Sequence, residues 1–192
     1  ETEGDIKHVS ISADGREIVA GSRDNKVYLF DKDSSTPIWS KDLGDDVIST
    51  AISADSEYIF VSTGNQKVHL FDKDSSTPLW SYTTGHNVYS VAISADGEYL
   101  VAGDINSAGK KVYLFDKDSS TPLWTYTTGD DVLSVDISED GEYIVVGSGD
   151  NKVYLFDKDS STPLWNYTAD EDVATVSISA DGSYIAIGTS DG

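Results

Sequence analysis

The chain has 192 residues and a mass of 20.7 kDa, and its 34 acidic against 13 basic side chains leave a formal net charge of −21. That charge repels phosphate backbones and anionic lipid head groups, which argues against nucleic acid and membrane partners, while 38% hydrophobic residues suffice for a packed core. The absence of cysteine rules out a disulfide framework, a thiolate zinc site and a cysteine nucleophile, and no apolar run approaches the ~20 residues of a membrane-spanning helix.

Read from its start, the chain is a repeat. Glu1–Asp5 resembles the tail of an outer strand, with T-E-G-D standing where a later repeat has T-T-G-D. The marker I-S-A-D, or a near copy, then begins at Ile11, Ile52, Ile93, Ile137 and Ile178. A second marker, F-D-K-D-S-S-T-P-I-W or a near copy, ends at Trp39, Trp80, Trp124 and Trp165, with spacings of 41, 44 and 41. The longer spacing is a three-residue insertion within Asp104–Lys110. Four full repeats and part of a fifth follow, over about 6–46, 47–87, 88–131, 132–172 and 173–192.

Within each repeat, short apolar alternations are separated by Gly, Asp, Asn and Ser, which is strand-and-turn chemistry, and no helix is predicted. The fourth repeat predicts strands over Val132–Ser138, Glu142–Gly147, Lys152–Asp157 and Pro163–Thr168. Its first two are joined by S-E-D-G, with glycine where a positive φ is needed, and Asp55-Ser56 breaks that rule in the second repeat, as a strained turn or one of another type. Val173–Ser179 and Ser183–Thr189 add two strands in the fifth repeat, for eighteen in all. Four antiparallel strands in about 41 residues make one propeller blade, so the fold class is all-β: a propeller of four blades and half of another. Alternate residues such as Val135, Ile137, Ile144, Val146, Val153 and Leu155 supply the apolar faces. Tyr28, Tyr113 and Tyr154 share one packing position, occupied by His69 in the second repeat.

The stretch K-V-Y-L-F-D-K-D-S-S-T-P-L-W-T-Y-T-T-G (Lys111–Gly129) resembles the tryptophan-docking repeat of quinoprotein-type (PQQ-like) propellers, and Val132–Ser148 is similar to WD-repeat blades. The resemblance covers nearly the whole chain. It implies that Trp39, Trp80, Trp124 and Trp165 wedge against the adjacent blade. Here Ser-Thr-Pro replaces the family's usual Thr-Gly turn. Some members of that family carry a quinone beside adjacent cysteines, a stacking tryptophan and calcium; this chain has no cysteine and no tryptophan outside the repeats, so that activity is not carried over.

The chain stops at T-S-D-G, where earlier repeats run on into K-V-Y-L-F or its variant. An open propeller leaves an apolar blade face and a strand edge in water, so the expectation is a piece of a larger propeller, a homo-oligomer in which chains complete one another, or a distorted packing of blade five.

Three candidate sites emerge. The paired carboxylates Asp31/Asp33, Asp72/Asp74, Asp116/Asp118 and Asp157/Asp159, beside hydroxyls, suit calcium as oxygen ligands, or else cap the turn; the lysine between each pair favours the cap. The loops after the second and fourth strands emerge at one end and differ most between repeats, which nominates Arg23, Asn65, His86, Asn87, Asn106, Asp130 and Asp131 for binding. Asn166-Tyr167-Thr168 is a glycosylation sequon, which with the acidity points to an extracellular or cell-surface setting. His8, His69 and His86 suggest no three-histidine metal site and no nucleophile–base pair. The expected function is a non-catalytic interaction module that binds a protein, glycan or ion through one loop face, with no cofactor other than a calcium ion at those turns. The alternatives are a piece of a PQQ-like enzyme whose catalytic residues lie elsewhere and a self-assembling repeat array.

Overall fold

The computed structural model describes residues 4–106 and 109–190, and these form eighteen β-strands and no helix. The first blade is β1 (Ile6–Ile11), β2 (Glu17–Ser22), β3 (Lys26–Asp31) and β4 (Trp39–Asp42). The second is β5 (Val47–Ile52), β6 (Tyr58–Thr63), β7 (Lys67–Asp72) and β8 (Trp80–Thr83). The third is β9 (Asn87–Ile93), β10 (Tyr99–Ile105), β11 (Lys111–Asp116) and β12 (Trp124–Thr127), and the fourth is β13 (Val132–Ile137), β14 (Tyr143–Ser148), β15 (Lys152–Asp157) and β16 (Trp165–Thr168). β17 (Val173–Ile178) and β18 (Ile185–Thr189) form a two-stranded half blade. Strands pair antiparallel in chain order within each sheet, and no sheet closes on itself. The fourth strand of the fourth repeat starts two residues later than predicted, because Leu164 is still in the bend, although its N–H already reaches Leu155 O (2.8 Å).

The S-A-D-G signature is a local lock. The serine hydroxyl donates to the aspartate two residues on, as Ser94 does to Asp96 (2.7 Å), and accepts the N–H five residues on, as from Tyr99 (3.0 Å). The same pair of bonds recurs at Ser12, Ser53, Ser138 and Ser179. Gly15, Gly97, Gly141 and Gly182 take positive φ at the fourth position.

Ser56 does too, at φ 67°, so its turn is of the same left-handed type and not another. The substitution is matched across the blade boundary. A methyl on Gly141 would lie 2.6 Å from the Tyr99 ring, and Gly97 and Gly182 face Tyr58 and Tyr143 of the preceding blade in the same way. Before Ser56 the preceding blade carries Glu17 at the tyrosine position, and the Ser56 hydroxyl donates to it (2.8 Å). A glycine–tyrosine contact has been exchanged for a serine–glutamate hydrogen bond.

Blades stack through valine, leucine, isoleucine and phenylalanine side chains that are wholly buried. Glycine in β2, β10 and β14 lets the next inner strand approach: a side chain on Gly21 would meet Val47, one on Gly103 would meet Val132, and one on Gly147 would meet Val173 and Val176, while β6 carries Ser62 at that position. The outer strands dock through tryptophan. Trp39, Trp80 and Trp124 donate Nε1–H to the carbonyls of Lys73, Lys117 and Lys158 in the following blade, at 2.6, 2.6 and 2.7 Å. Their rings lie 5.3–5.6 Å from Phe71, Phe115 and Phe156. Trp165 is 43% exposed. Its counterparts bond a carbonyl in the loop after the third strand of the following blade, and among the described residues the sheet of β17 and β18 holds two strands.

Candidate functional site

The inner strands β1, β5, β9, β13 and β17 pack each against the next in chain order and line a cavity of about 470 Å³. Each inner pair carries a register shift, between Ile6 and His8, Val47 and Ser49, Gly103 and Asp104, Val132 and Ser134, and Val173 and Thr175. A β-bulge adds one residue and re-aims its side chain. The extra residues are Lys7, Ile48, Tyr89, Leu133 and Ala174, and all five line the cavity. Five nearly identical repeats therefore present five different side chains to one space. Next along each strand come His8, Ser49, Ser90, Ser134 and Thr175. Ser90 and Ser134 accept the N–H of Val135 and Val176 in the following blade (3.1 and 3.2 Å), and His8 Nδ1 accepts that of Thr50 (3.3 Å). Burial holds His8 below the ordinary histidine range. Sequence reasoning missed these positions; the signal was the variable residue between the conserved-looking V and S of an otherwise uniform strand.

The loops after second and fourth strands emerge at the same end and bond to one another. Leu43 N–H donates to Asn25 O (2.8 Å), Thr84 to Gln66 O (3.0 Å), Thr128 to Lys110 O (2.8 Å) and Ala169 to Asn151 O (2.8 Å). All four acceptor residues have φ between 63° and 69°. Arg23 reaches Asp5 (3.4 Å) and Asp46 (4.0 Å), tying the first loop to the residues just before β1 and β5. Asn65 donates to Leu43 O (3.0 Å) and accepts from the Thr63 hydroxyl (2.7 Å). Asn87 begins β9 and lines the cavity.

The insertion rearranges its neighbours. Ser107 and Ala108, at its centre, lie outside the described residues. Asn106 N–H donates to Asp131 (2.8 Å), and Lys110 Nζ lies 3.3 Å from Asp130. The N–H of Asp131, then Lys110, hold the Asp130 carboxyl below its usual range. The His86 ring lies beside Gly109, where any side chain would collide with it and with Asp104. In blades one and four the buried tyrosine donates to the loop aspartate, Tyr28 to Asp24 (2.6 Å) and Tyr154 to Asp150 (2.5 Å). In blade three that aspartate sits earlier, at the wholly buried Asp104, which accepts from Tyr113 (2.9 Å) and Lys111 N–H (2.6 Å). Burial, then Asp104, raises the Tyr113 phenol well above its usual range. Blade two replaces the pair with Asn65 and His69, whose Nδ1 meets the Ser81 hydroxyl at 2.7 Å.

The remaining candidates lie away from this face. Asp31, Asp72, Asp116 and Asp157 each accept the N–H of the second aspartate, Asp33, Asp74, Asp118 and Asp159, at 2.8 Å, at the opposite end of the blades. These carboxylates cap their turns. The lysine between them bonds Asp33 in blade one and Glu57 in blade two, and in blades three and four bridges its aspartate to Glu98 or Glu142. No group of three or more histidine, aspartate or glutamate side chains suited to a metal ion occurs among the described residues. Asn166 is exposed on β16.

The family described as outer membrane protein assembly factor BamB (PQQ_2) matches residues 23–137 and 89–192. The chain belongs to this PQQ-like, BamB-type repeat family. The WD domain, G-beta repeat family matches residues 1–31. No curated protein matches the chain. The tryptophans of this PQQ-like chain do not fit a quinone: Trp39, Trp80 and Trp124 are engaged between blades, and Trp165 stands at an outer edge.

Proposed function

We propose that this propeller chain is a non-catalytic binding module of an exported or cell-surface protein, which holds a protein or glycan partner through its loop face and the adjoining mouth of the cavity. The observation that carries this reading is where the repeats differ. The turn-capping end repeats the same bonds in blade after blade, whereas the other end carries Arg23, Asn65, the Asn106–Lys110 insertion and the five unlike bulge residues. One end is uniform from blade to blade and the other individual, and recognition is built on such individual loops over a rigid frame. The exposed Tyr89, an aromatic at the cavity, is the natural anchor for a peptide side chain or a sugar ring.

The test uses defined probes: a displayed peptide library and an array of immobilised glycans. Ligands selected on the full chain should lose at least tenfold in affinity with Tyr89→Ala or Arg23→Ala and keep it with Asp74→Ala at the opposite end. Ligands insensitive to both loop-face changes would overturn the reading.

A further inference from the structure

The cavity between the inner strands differs in charge from the rest of the chain. Thirteen residues line it and none is an aspartate or glutamate, although the chain carries 34 of these in 192 residues. The Lys7 ammonium lies there, and no ion pair holds it among the described residues. Lys7 faces the cavity through its bulge and not through its place in the first strand: Ile48, Tyr89 and Leu133 occupy the same position in blades with a neighbour on either side, and they line the cavity too. An anion approaching a chain of net charge −21 is repelled over most of its surface, and a lining free of carboxylates weakens that repulsion.

The neutral groups beside Lys7 are donors left over from the junctions between blades. Ser90 and Ser134 use a lone pair on the N–H of Val135 and Val176, which leaves each hydroxyl proton to donate. The Nδ1 of His8 takes the Thr50 N–H, which puts the ring proton on Nε2. Ser49 and Thr175 add hydroxyls at the same register position of β5 and β17, so every inner strand brings one polar side chain to one level. Tyr89, 54% exposed, stands beside them as an aromatic face. This combination meets a sugar ring: hydroxyl side chains match its hydroxyls, an aromatic face packs on its C–H groups, and a volume of about 470 Å³ falls in the range of small-ligand sites. The ammonium adds a demand for one negative charge. A free amino acid would bring an ammonium of its own that no lining carboxylate answers, and an acidic peptide side chain has no hydroxyls for the serines to meet.

We infer that the cavity binds a sugar carrying one carboxylate, a hexuronate unit, with Lys7 on the carboxylate, Tyr89 against the ring, and Ser90, Ser134 and His8 on the ring oxygens. This rests on the binding-module reading and narrows it to glycans that display a uronic acid.

Calorimetric titration of the full chain with glucuronate and with glucose tests it. Glucuronate should bind about tenfold tighter than glucose or better, as a charge-assisted contact adds to the shared ones. Lys7→Gln, at an exposed side chain, should bring glucuronate down to the level of glucose and leave glucose unchanged. Ala174→Asp, also at an exposed residue, places a carboxylate in the lining and should have the same selective effect. Circular dichroism of both variants should match the wild type. Glucuronate that does not bind, that binds no tighter than glucose, or whose affinity survives both changes would overturn the inference. Glycans that depend on Tyr89 but carry no uronic acid and ignore Lys7→Gln would overturn it too, while the binding reading stands. That reading fails separately, on selected ligands insensitive to both Tyr89→Ala and Arg23→Ala.

Discussion

His69 should make the protein acid-sensitive, and replacing it should remove that sensitivity. It is 6% exposed, and burial, aided by the charge of Lys67, pushes its pKa down to about 4 from 6.5. Between those values the unfolded chain binds a proton that the folded chain refuses, so stability is full above pH 6.5 and falls as pH drops toward 4. The linkage relation gives a loss of about 2 kcal/mol between pH 7.5 and 5, and about 3 kcal/mol in full. For a chain of this size about 2 kcal/mol corresponds to a melting temperature lower by roughly 4–8 °C. His69→Tyr installs the residue of the other three blades and abolishes this contribution. The tyrosine hydroxyl, however, meets Asn65 where Tyr28 and Tyr154 meet Asp24 and Asp150. Adding Asn65→Asp supplies that acceptor, and the pair should show a favourable coupling of about 1–2 kcal/mol, the range for a hydrogen bond to a charged group. The assay is urea unfolding at pH 7.5 and 5 for wild type, both single variants and the double. An equal pH-dependent loss in wild type and His69→Tyr would refute the reasoning, since His8 and the carboxylates are common to both and cancel in the comparison.

The matched exchange between blades one and two predicts that Glu17→Tyr and Ser56→Gly together are tolerated better than Glu17→Tyr alone, with a coupling of about 1 kcal/mol in a double-mutant cycle. Trp124→Phe should cost about 1 kcal/mol or slightly more through the lost bond to Lys158 O, whereas Trp165→Phe should stay within about 0.5 kcal/mol, as measured by denaturant unfolding. Asp104→Asn keeps the shape but removes the charge that accepts from Tyr113 and Lys111, and should lower stability by about 1–3 kcal/mol in the same assay. Because the aspartates of the turns are already engaged by backbone N–H groups, melting curves in excess calcium and in excess chelator should coincide; a stabilisation by calcium would restore those turns as metal loops.

The blades, their number and their apolar faces were legible because a repeat reports the same structural solution several times over, and chance patterns do not recur at a fixed spacing. The same redundancy hid what is individual. Trp165 carries the full docking signature, yet its partner lies in a different blade, so nothing within its own repeat distinguishes it from Trp124. Ser56 looked like a defect until Glu17, 39 positions away in sequence, was seen to answer it. Asp104 is separated from its role by the insertion that displaced it, since the aspartate must follow the buried tyrosine and not the alignment.

The bulge residues show the limit most plainly. Strand alternation read from sequence assumes one residue per pairing step, and a bulge breaks that step: it gives Lys7, Ile48, Tyr89, Leu133 and Ala174 a shared direction into the cavity that strict period-two counting would not assign. Such a position is free of the packing demands that hold Val132 or Val173 at valine, because its side chain meets the cavity and not a neighbouring sheet. Freedom from packing lets the five diverge, and a cavity edge is where divergence changes what can bind. Tyr89→Ala therefore separates the two demands: it should leave unfolding within about 0.5 kcal/mol, as for an exposed side chain, while removing the anchor for any ligand at the mouth. A large loss of stability would instead make Tyr89 part of the frame and move the binding surface outward to the loops alone.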